Sequence, residues 1–106
     1  MNVVARQVDM ARMRKAATEA SGVLRALANE DRLLLLCQMS QGEVSVGELE
    51  ELLDIRQPTL SQQLGVLRNE ELVNTRRDGK RIYYSVADPR VLALLELMYG
   101  LYCPKE

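Results

Sequence analysis

Gln57-Pro58-Thr59-Leu60-Ser61-Gln62-Gln63-Leu64-Gly65-Val66-Leu67-Arg68 is the stretch on which the reading of this chain turns. Leu60, Leu64 and Leu67 recur at the spacing of one helix face, so a helix is predicted with that face turned inward. Pro58 fits its first position, where a missing N–H costs nothing. At about 100° per residue, Pro58, Gln62, Gly65 and Val66 fall on the opposite side, with Thr59 and Ser61 on the flanks and Gln57 just ahead. This outer surface is short, polar and nearly uncharged. Gln pairs in two-pronged fashion with adenine, Ser and Thr meet several bases, and a glycine admits close backbone approach. A polar helix face of this kind is also what any solvated helix shows, so the neighbours decide.

Upstream, Ser45-Val46-Gly47-Glu48 has the capping-box pattern, with Glu48 three residues after Ser45, and opens a short helix from Val46 to about Asp54. Ile55-Arg56-Gln57-Pro58 is then a tight turn between two helices, and the unit spans about 46–70. Downstream the period changes. Leu72 to Arg77 and Lys80 to Val86 are β-prone runs on either side of Asp78-Gly79, a strong hairpin signal. This hairpin, about 72–86, carries Arg76, Arg77, Lys80 and Arg81 around its tip. A basic two-stranded wing following two helices joined by a turn makes a winged helix-turn-helix, in which the second helix enters the major groove. Gln57, Pro58, Thr59, Ser61, Gln62 and Gly65 are the candidate base-reading residues. Arg76, Arg77, Lys80 and Arg81, with Arg56 and Arg68, are the candidate phosphate contacts. The alternative for the wing is an edge strand protected by charge. Tyr83 and Tyr84 are expected on opposite faces of their strand.

The flanking segments are helical. Asp9 to Ala28 reads as one helix, or two with a break near Ser21-Gly22, and the first seventeen residues of the chain carry Arg6, Arg12, Arg14 and Lys15 against one acid, Asp9. Asn29 caps a further helix whose run Leu33 to Leu36 is apolar on nearly all sides, so it should be central and end near Gly42. Asp88-Pro89 starts the last helix. Its wide apolar face, from Val91 to Tyr102, exceeds what one small core covers, and points to a homodimer through helices at about 9–28 and 89–103. The expected class is mostly α with a small β-hairpin, one domain over residues 1–106.

Charge and composition agree. The chain has 106 residues and a net charge of −1, but Arg56 to Arg81 carries six bases against three acids while Glu43 to Asp54 carries five acids and no base. A near-neutral protein with one basic segment still binds a polyanion through that segment. With 47% apolar and 27% charged residues it is not a disordered chain, and no apolar run approaches the roughly 18 residues of a membrane span. No signal-peptide pattern is seen, so a cytoplasmic protein is expected. Histidine is absent, which removes His-based triads and histidine zinc sites. A small thiol peroxidase or persulfide transferase would need a thiolate activated by histidine or clustered cations. The chain therefore reads as a binding protein, not an enzyme, with no cofactor and no metal site.

Cys37 and Cys103 remain. They form no Cys-x-x-C, so neither a thioredoxin motif nor a zinc ribbon is present. Buried packing thiols and a redox-sensing pair are both open readings. If the last helix packs on the central one, the two sulfurs can meet.

Leu27-Ala28-Asn29-Glu30-Asp31-Arg32-Leu33, Ser45 to Leu49, Gln57 to Arg68 and the wing end Ile82-Tyr83-Tyr84-Ser85 together resemble the ArsR family of winged-helix repressors. The resemblance runs over nearly the whole chain. It implies a homodimer that binds operator DNA and lets go when an inducer arrives. The family's arsenic-type Cys-x-Cys is replaced here by Ser45-Val46-Gly47, and its zinc-type site needs histidine, so neither metal site carries over. Cys37 and Cys103 instead look like the pair of the two-cysteine, persulfide-sensing subgroup. There the pair becomes a disulfide or a sulfur-bridged form under reactive sulfur or oxidant, and DNA is released. The alternative within the family is a redox-blind or metal-responsive regulator with structural cysteines.

Overall fold

The computed structural model describes residues 9–103, so Arg6 and both extreme ends of the expected domain lie outside the described residues. Five helices and three strands follow in the order α1 (Met10–Leu27), α2 (Glu30–Met39), β1 (Val44–Ser45), α3 (Val46–Leu53), α4 (Thr59–Asn69), β2 (Val73–Asp78), β3 (Arg81–Val86) and α5 (Pro89–Tyr102). Each helix start has a local cause. Asp9, Asn29 and Asp88 each accept a hydrogen bond from a first-turn N–H of α1, α2 and α5, and Pro89 occupies the first turn of α5. At α3 the capping box is complete: Ser45 Oγ accepts from Glu48 N at 3.2 Å while Glu48 Oε1 accepts from Ser45 N at 2.9 Å.

α1 is a single helix through Ser21-Gly22, the first of the two forms expected, with the Ser21 hydroxyl donating to the Thr18 carbonyl at 3.1 Å. Three expectations shift. α2 stops at Met39, three residues before Gly42, whose φ of 135° belongs to the following turn. Pro58 stands one position outside α4, though the Leu60 N–H already bonds the Arg56 carbonyl at 3.0 Å. Asp78 pairs with Arg81, so the wing turn is Gly79-Lys80 and not Asp78-Gly79. Gly79, with φ 63°, supplies the left-handed first position of a two-residue hairpin loop.

The sheet has order β1-β3-β2, all antiparallel. β1 is two residues long and docks Val44 beside Tyr84, closing the wing base onto the N-terminus of α3. Along β3, Tyr84 turns into the core while Tyr83 stays half-buried on the other face. Leu35 and Leu36 of α2, Leu49 of α3, Leu60 and Leu67 of α4 and Val91 of α5 are completely buried. α2 is thus the element that α1, α3, α4 and the sheet share, and α4 is held by its inner leucines with its other side outward.

Leu35 tests this frame. Truncating it to alanine leaves a cavity that a close-packed centre refills poorly. Leu35→Ala is expected to cost about 2–5 kcal/mol, seen as a lower urea midpoint at unchanged slope and fixed protein concentration.

Candidate nucleic-acid interface and dithiol pair

The outer side of α4 is as the leucine spacing requires. Thr59, Ser61 and Gln62 are exposed, and Gly65 and Val66 are half-buried. Pro58 offers no side-chain cap, and Gln57 takes over that task. Its Oε1 accepts from the Ser61 N–H at 3.2 Å and from the Ser61 hydroxyl, so Gln57 and Ser61 are held together at the tip of the helix. The Gln57 amide nitrogen is left outside that contact. A Cβ built on Gly65 meets nothing closer than Arg68 Nη2 at 3.7 Å, an ordinary contact. The protein's own packing does not require glycine there.

One residue of α4 escaped the sequence reading. Gln63 accepts from Arg32 Nη1 at 2.8 Å, and the same guanidinium donates through Nε to the Ala26 carbonyl at 2.6 Å and through Nη2 to the Arg25 carbonyl at 3.1 Å. Arg32, at the start of α2, therefore joins the last turn of α1 to the middle of α4. A cation at the C-terminal end of α1 is also favoured by that helix's dipole.

The basic residues separate into two groups. Arg76 is turned back onto the body, with Nε 2.9 Å from Glu43 Oε2, Nη2 2.9 Å from Glu43 Oε1, and its Cζ 4.7 Å from the Tyr83 ring centroid. Hydrogen bonding to Arg76 holds the Glu43 carboxyl below the usual carboxylate range and raises Arg76 in return. Arg68 donates through Nη1 to the buried Tyr84 hydroxyl, bracing α4 against β3. Arg56 lies 3.5 Å from Asp54 with both side chains largely in solvent. Among the described residues, Arg77, Lys80 and Arg81 are exposed and make no ion pair. The wing tip thus presents three exposed cations outside any ion pair among the described residues, with Arg81 close enough to Glu48 to lower its carboxyl.

Residues 29–75, covering α2, α3, α4 and the first part of the wing, match the model of the family described as bacterial regulatory protein, arsR family. The chain is 50% identical over 100 residues to the biofilm growth-associated repressor of Agrobacterium fabrum, covering 94% of this chain and 86% of that one. It belongs to the arsR family of bacterial regulators. The solved transcriptional repressor BigR from Xylella fastidiosa superposes with a TM-score of 0.84 at 42% identity, covering 92% of this chain and all of that one. Reduced HlyU from Vibrio cholerae superposes equally well, also at 42% identity, over 88% of this chain and 98% of that one. These relatives are transcriptional regulators, not enzymes, and this arsR-family chain is a transcriptional regulator of the winged-helix type. Among the described residues no helix is long and apolar enough to cross a membrane, and no cluster of three or more Cys, Asp or Glu is disposed to hold a metal ion.

Both cysteines of this arsR-family protein are free thiols. Cys37, on α2, is half-buried; Cys103, at the C-terminal cap of α5, is exposed. Burial pushes the Cys37 thiol up, and the negative charge of Cys103 pushes it further. The two cysteines are 66 positions apart in the chain, on α2 and at the end of α5. Cys37 also opens into a cavity of about 660 Å³ between α2 and α5.

Proposed function

We propose that this protein is a homodimeric repressor whose hold on operator DNA is released when Cys37 and Cys103 become joined, by a disulfide or through bridging sulfur, under reactive sulfur or oxidant. The observation that supports the reading is the placement of the two free thiols, Cys37 on the central α2 and Cys103 at the C-terminal cap of α5, the two helices that line one shared cavity. A bond between them couples the terminal helix to the helix that supports α4.

Reading of DNA is assigned to Gln57, Pro58, Thr59, Ser61, Gln62 and Gly65. Gly65, unneeded by the protein's own packing, suits a phosphate or base edge brought close from outside. Arg77, Lys80 and Arg81 are assigned to phosphates, with Arg56, Arg68 and Arg76 as secondary contacts whose present partners must be exchanged. Dimerisation is assigned to α1 and α5: Leu97 and Leu101 are 58% and 66% exposed, and Leu94 and Met98 share their side of the helix. A solved relative from Mycobacterium bovis is described as a homodimeric winged helix-turn-helix DNA-binding domain.

In the thiol step, the exposed Cys103 thiolate attacks the outer sulfur of a persulfide RSSH; the S–S bond breaks, a thiol leaves, and Cys103 becomes a persulfide. Cys37 then attacks the Cys103 sulfur and expels hydrosulfide. Two thiols are oxidised by two electrons, and RSSH is reduced to RSH and hydrogen sulfide. Cys37 is half-buried and its thiol is pushed up by burial, so the first attack is given to the exposed Cys103, and Cys37 acts second, where the attack is intramolecular.

The test is a titration of reduced protein into labelled DNA from upstream of its own gene, repeated after organic persulfide, peroxide or zinc, with intact mass on each sample. Release with a mass change linking the cysteines supports the proposal. Cys37→Ser and Cys103→Ser are expected to bind DNA as the parent does and to stay bound under persulfide. Release of the Cys103→Ser variant at the parental rate would sink the dithiol mechanism. Binding unchanged by every thiol treatment would leave a regulator with structural cysteines.

A further inference from the structure

We propose that the cavity between α2 and α5 is a docking site for the carbon skeleton of the sulfur donor, and that it selects a neutral or cationic organic persulfide over an anionic one. The proposal rests on the dithiol reading above and adds the class of donor.

The cavity holds about 660 Å³, within the roughly 300–1,000 Å³ common for small-molecule sites. Its walls include Cys37 on α2 and Leu92, Leu95, Glu96, Tyr99 and Gly100 on α5. Ser40 and Gln41, just after Cys37, also line it, so the site sets apolar and aromatic side chains of α5 against a polar, thiol-bearing side. At about 100° per residue, these α5 positions cluster on one side of the helix. Cys103 falls on the same side, one turn beyond Tyr99, whose carbonyl accepts from the Cys103 N–H at 2.9 Å. Leu94, Leu97, Met98 and Leu101 cluster about 180° away. A partner copy seated on those leucines leaves the cavity side open. A donor lying along the stripe has Cys37 in the wall beside it, and Cys103, outside the lining, lies one turn beyond Tyr99.

Charge gives the selectivity. Glu96 is the one acid in the lining, and neither Lys nor Arg lines the cavity among the described residues. A carrier with free carboxylates, such as a tripeptide persulfide, meets repulsion without a compensating cation. A short alkyl, aryl or aminoalkyl carrier meets Leu92, Leu95 and Tyr99 and no opposing charge. The chemistry is that written above: the carrier leaves as RSH, so the cavity must bind the skeleton loosely enough to discharge it.

The experiment measures the rate at which reduced protein acquires the Cys37–Cys103 link, by alkylation quench and intact mass, with cysteamine, ethyl, 3-mercaptopropionate and glutathione persulfides. The neutral and cationic donors are expected to react about tenfold faster than the anionic donor of equal length, the order of one charge repulsion at short range. Glu96→Gln is expected to close most of that gap. Gly100 lines the cavity and a Cβ built there meets no atom within 4 Å, so Gly100→Leu puts an apolar side chain at the cavity edge. It is expected to slow the organic persulfides about tenfold, the loss of one apolar subsite, and to leave hydrogen peroxide, which needs no subsite, unchanged. Equal rates for all four donors, or a Gly100→Leu variant that slows peroxide as much as persulfide, would overturn the cavity while leaving the dithiol switch standing. Failure of every persulfide to link the cysteines would overturn both.

Discussion

Replacing Arg77, Lys80 and Arg81 together by alanine is expected to weaken DNA binding by roughly a hundredfold at low salt, and to flatten its salt dependence by about 0.9 in log–log slope for each phosphate left without its cation. These three side chains are singled out by their surroundings. Each is exposed and without an ion pair among the described residues, so none must abandon a partner before meeting a phosphate. Arg76 sits in the same strand but is gripped by both oxygens of Glu43 and by the Tyr83 face. Its single replacement by alanine is expected to cost DNA affinity less than Arg77→Ala does. Fluorescence anisotropy across a salt series checks both statements, and circular dichroism checks that the wing variant remains folded. An unchanged slope in the triple variant would mean that the wing tip lies away from the phosphates, as an edge strand protected only by charge does.

That sorting of the wing cations was not readable from the sequence. Local signals carried the architecture well, because a capping box, a leucine repeat and an Asp-Gly hairpin each act over a few neighbouring residues. Ser45 and Glu48 close their box as their spacing demands, and Leu60, Leu64 and Leu67 all reach the core. The finer placement of the wing turn at Gly79-Lys80 depended on register, which Asp78 pairing with Arg81 decides. β1 was invisible because two residues have no period. The pairs that shape the site join distant positions: Glu43 with Arg76, Arg32 with Gln63, Arg68 with Tyr84. Nothing in the residue types marks such partners, since each is an ordinary charged or polar residue until the fold brings them together. The cysteines are the intermediate case. Their presence and the absence of histidine were informative, but that α2 and α5, which carry them, line one shared cavity is a feature of the fold.

Gln63→Leu is expected to lower DNA affinity about tenfold while leaving dimerisation and Tm nearly unchanged, which corresponds to a coupling of about 1–2 kcal/mol passed through one bond network. Arg32→Gln is expected to lose as much affinity and, in addition, about 1–3 kcal/mol of stability, because the Ala26 and Arg25 carbonyls lose a charged donor at the end of α1. The reason lies in where Arg32 is anchored. Its guanidinium holds α1 through two carbonyls and α4 through Gln63, while its backbone belongs to α2, the helix that bears Cys37 five residues later. A shift of α2 relative to α1 therefore changes the grip on α4, and the orientation of the exposed Thr59, Ser61 and Gln62 follows. A double-mutant cycle decides whether the bridge is the cause. If it is, adding Gln63→Leu to Arg32→Gln costs no further affinity, and both variants show a smaller ratio between reduced and oxidised binding. If the two losses simply add, Gln63 acts on DNA by itself, and α4 must take its orientation from the buried leucines alone.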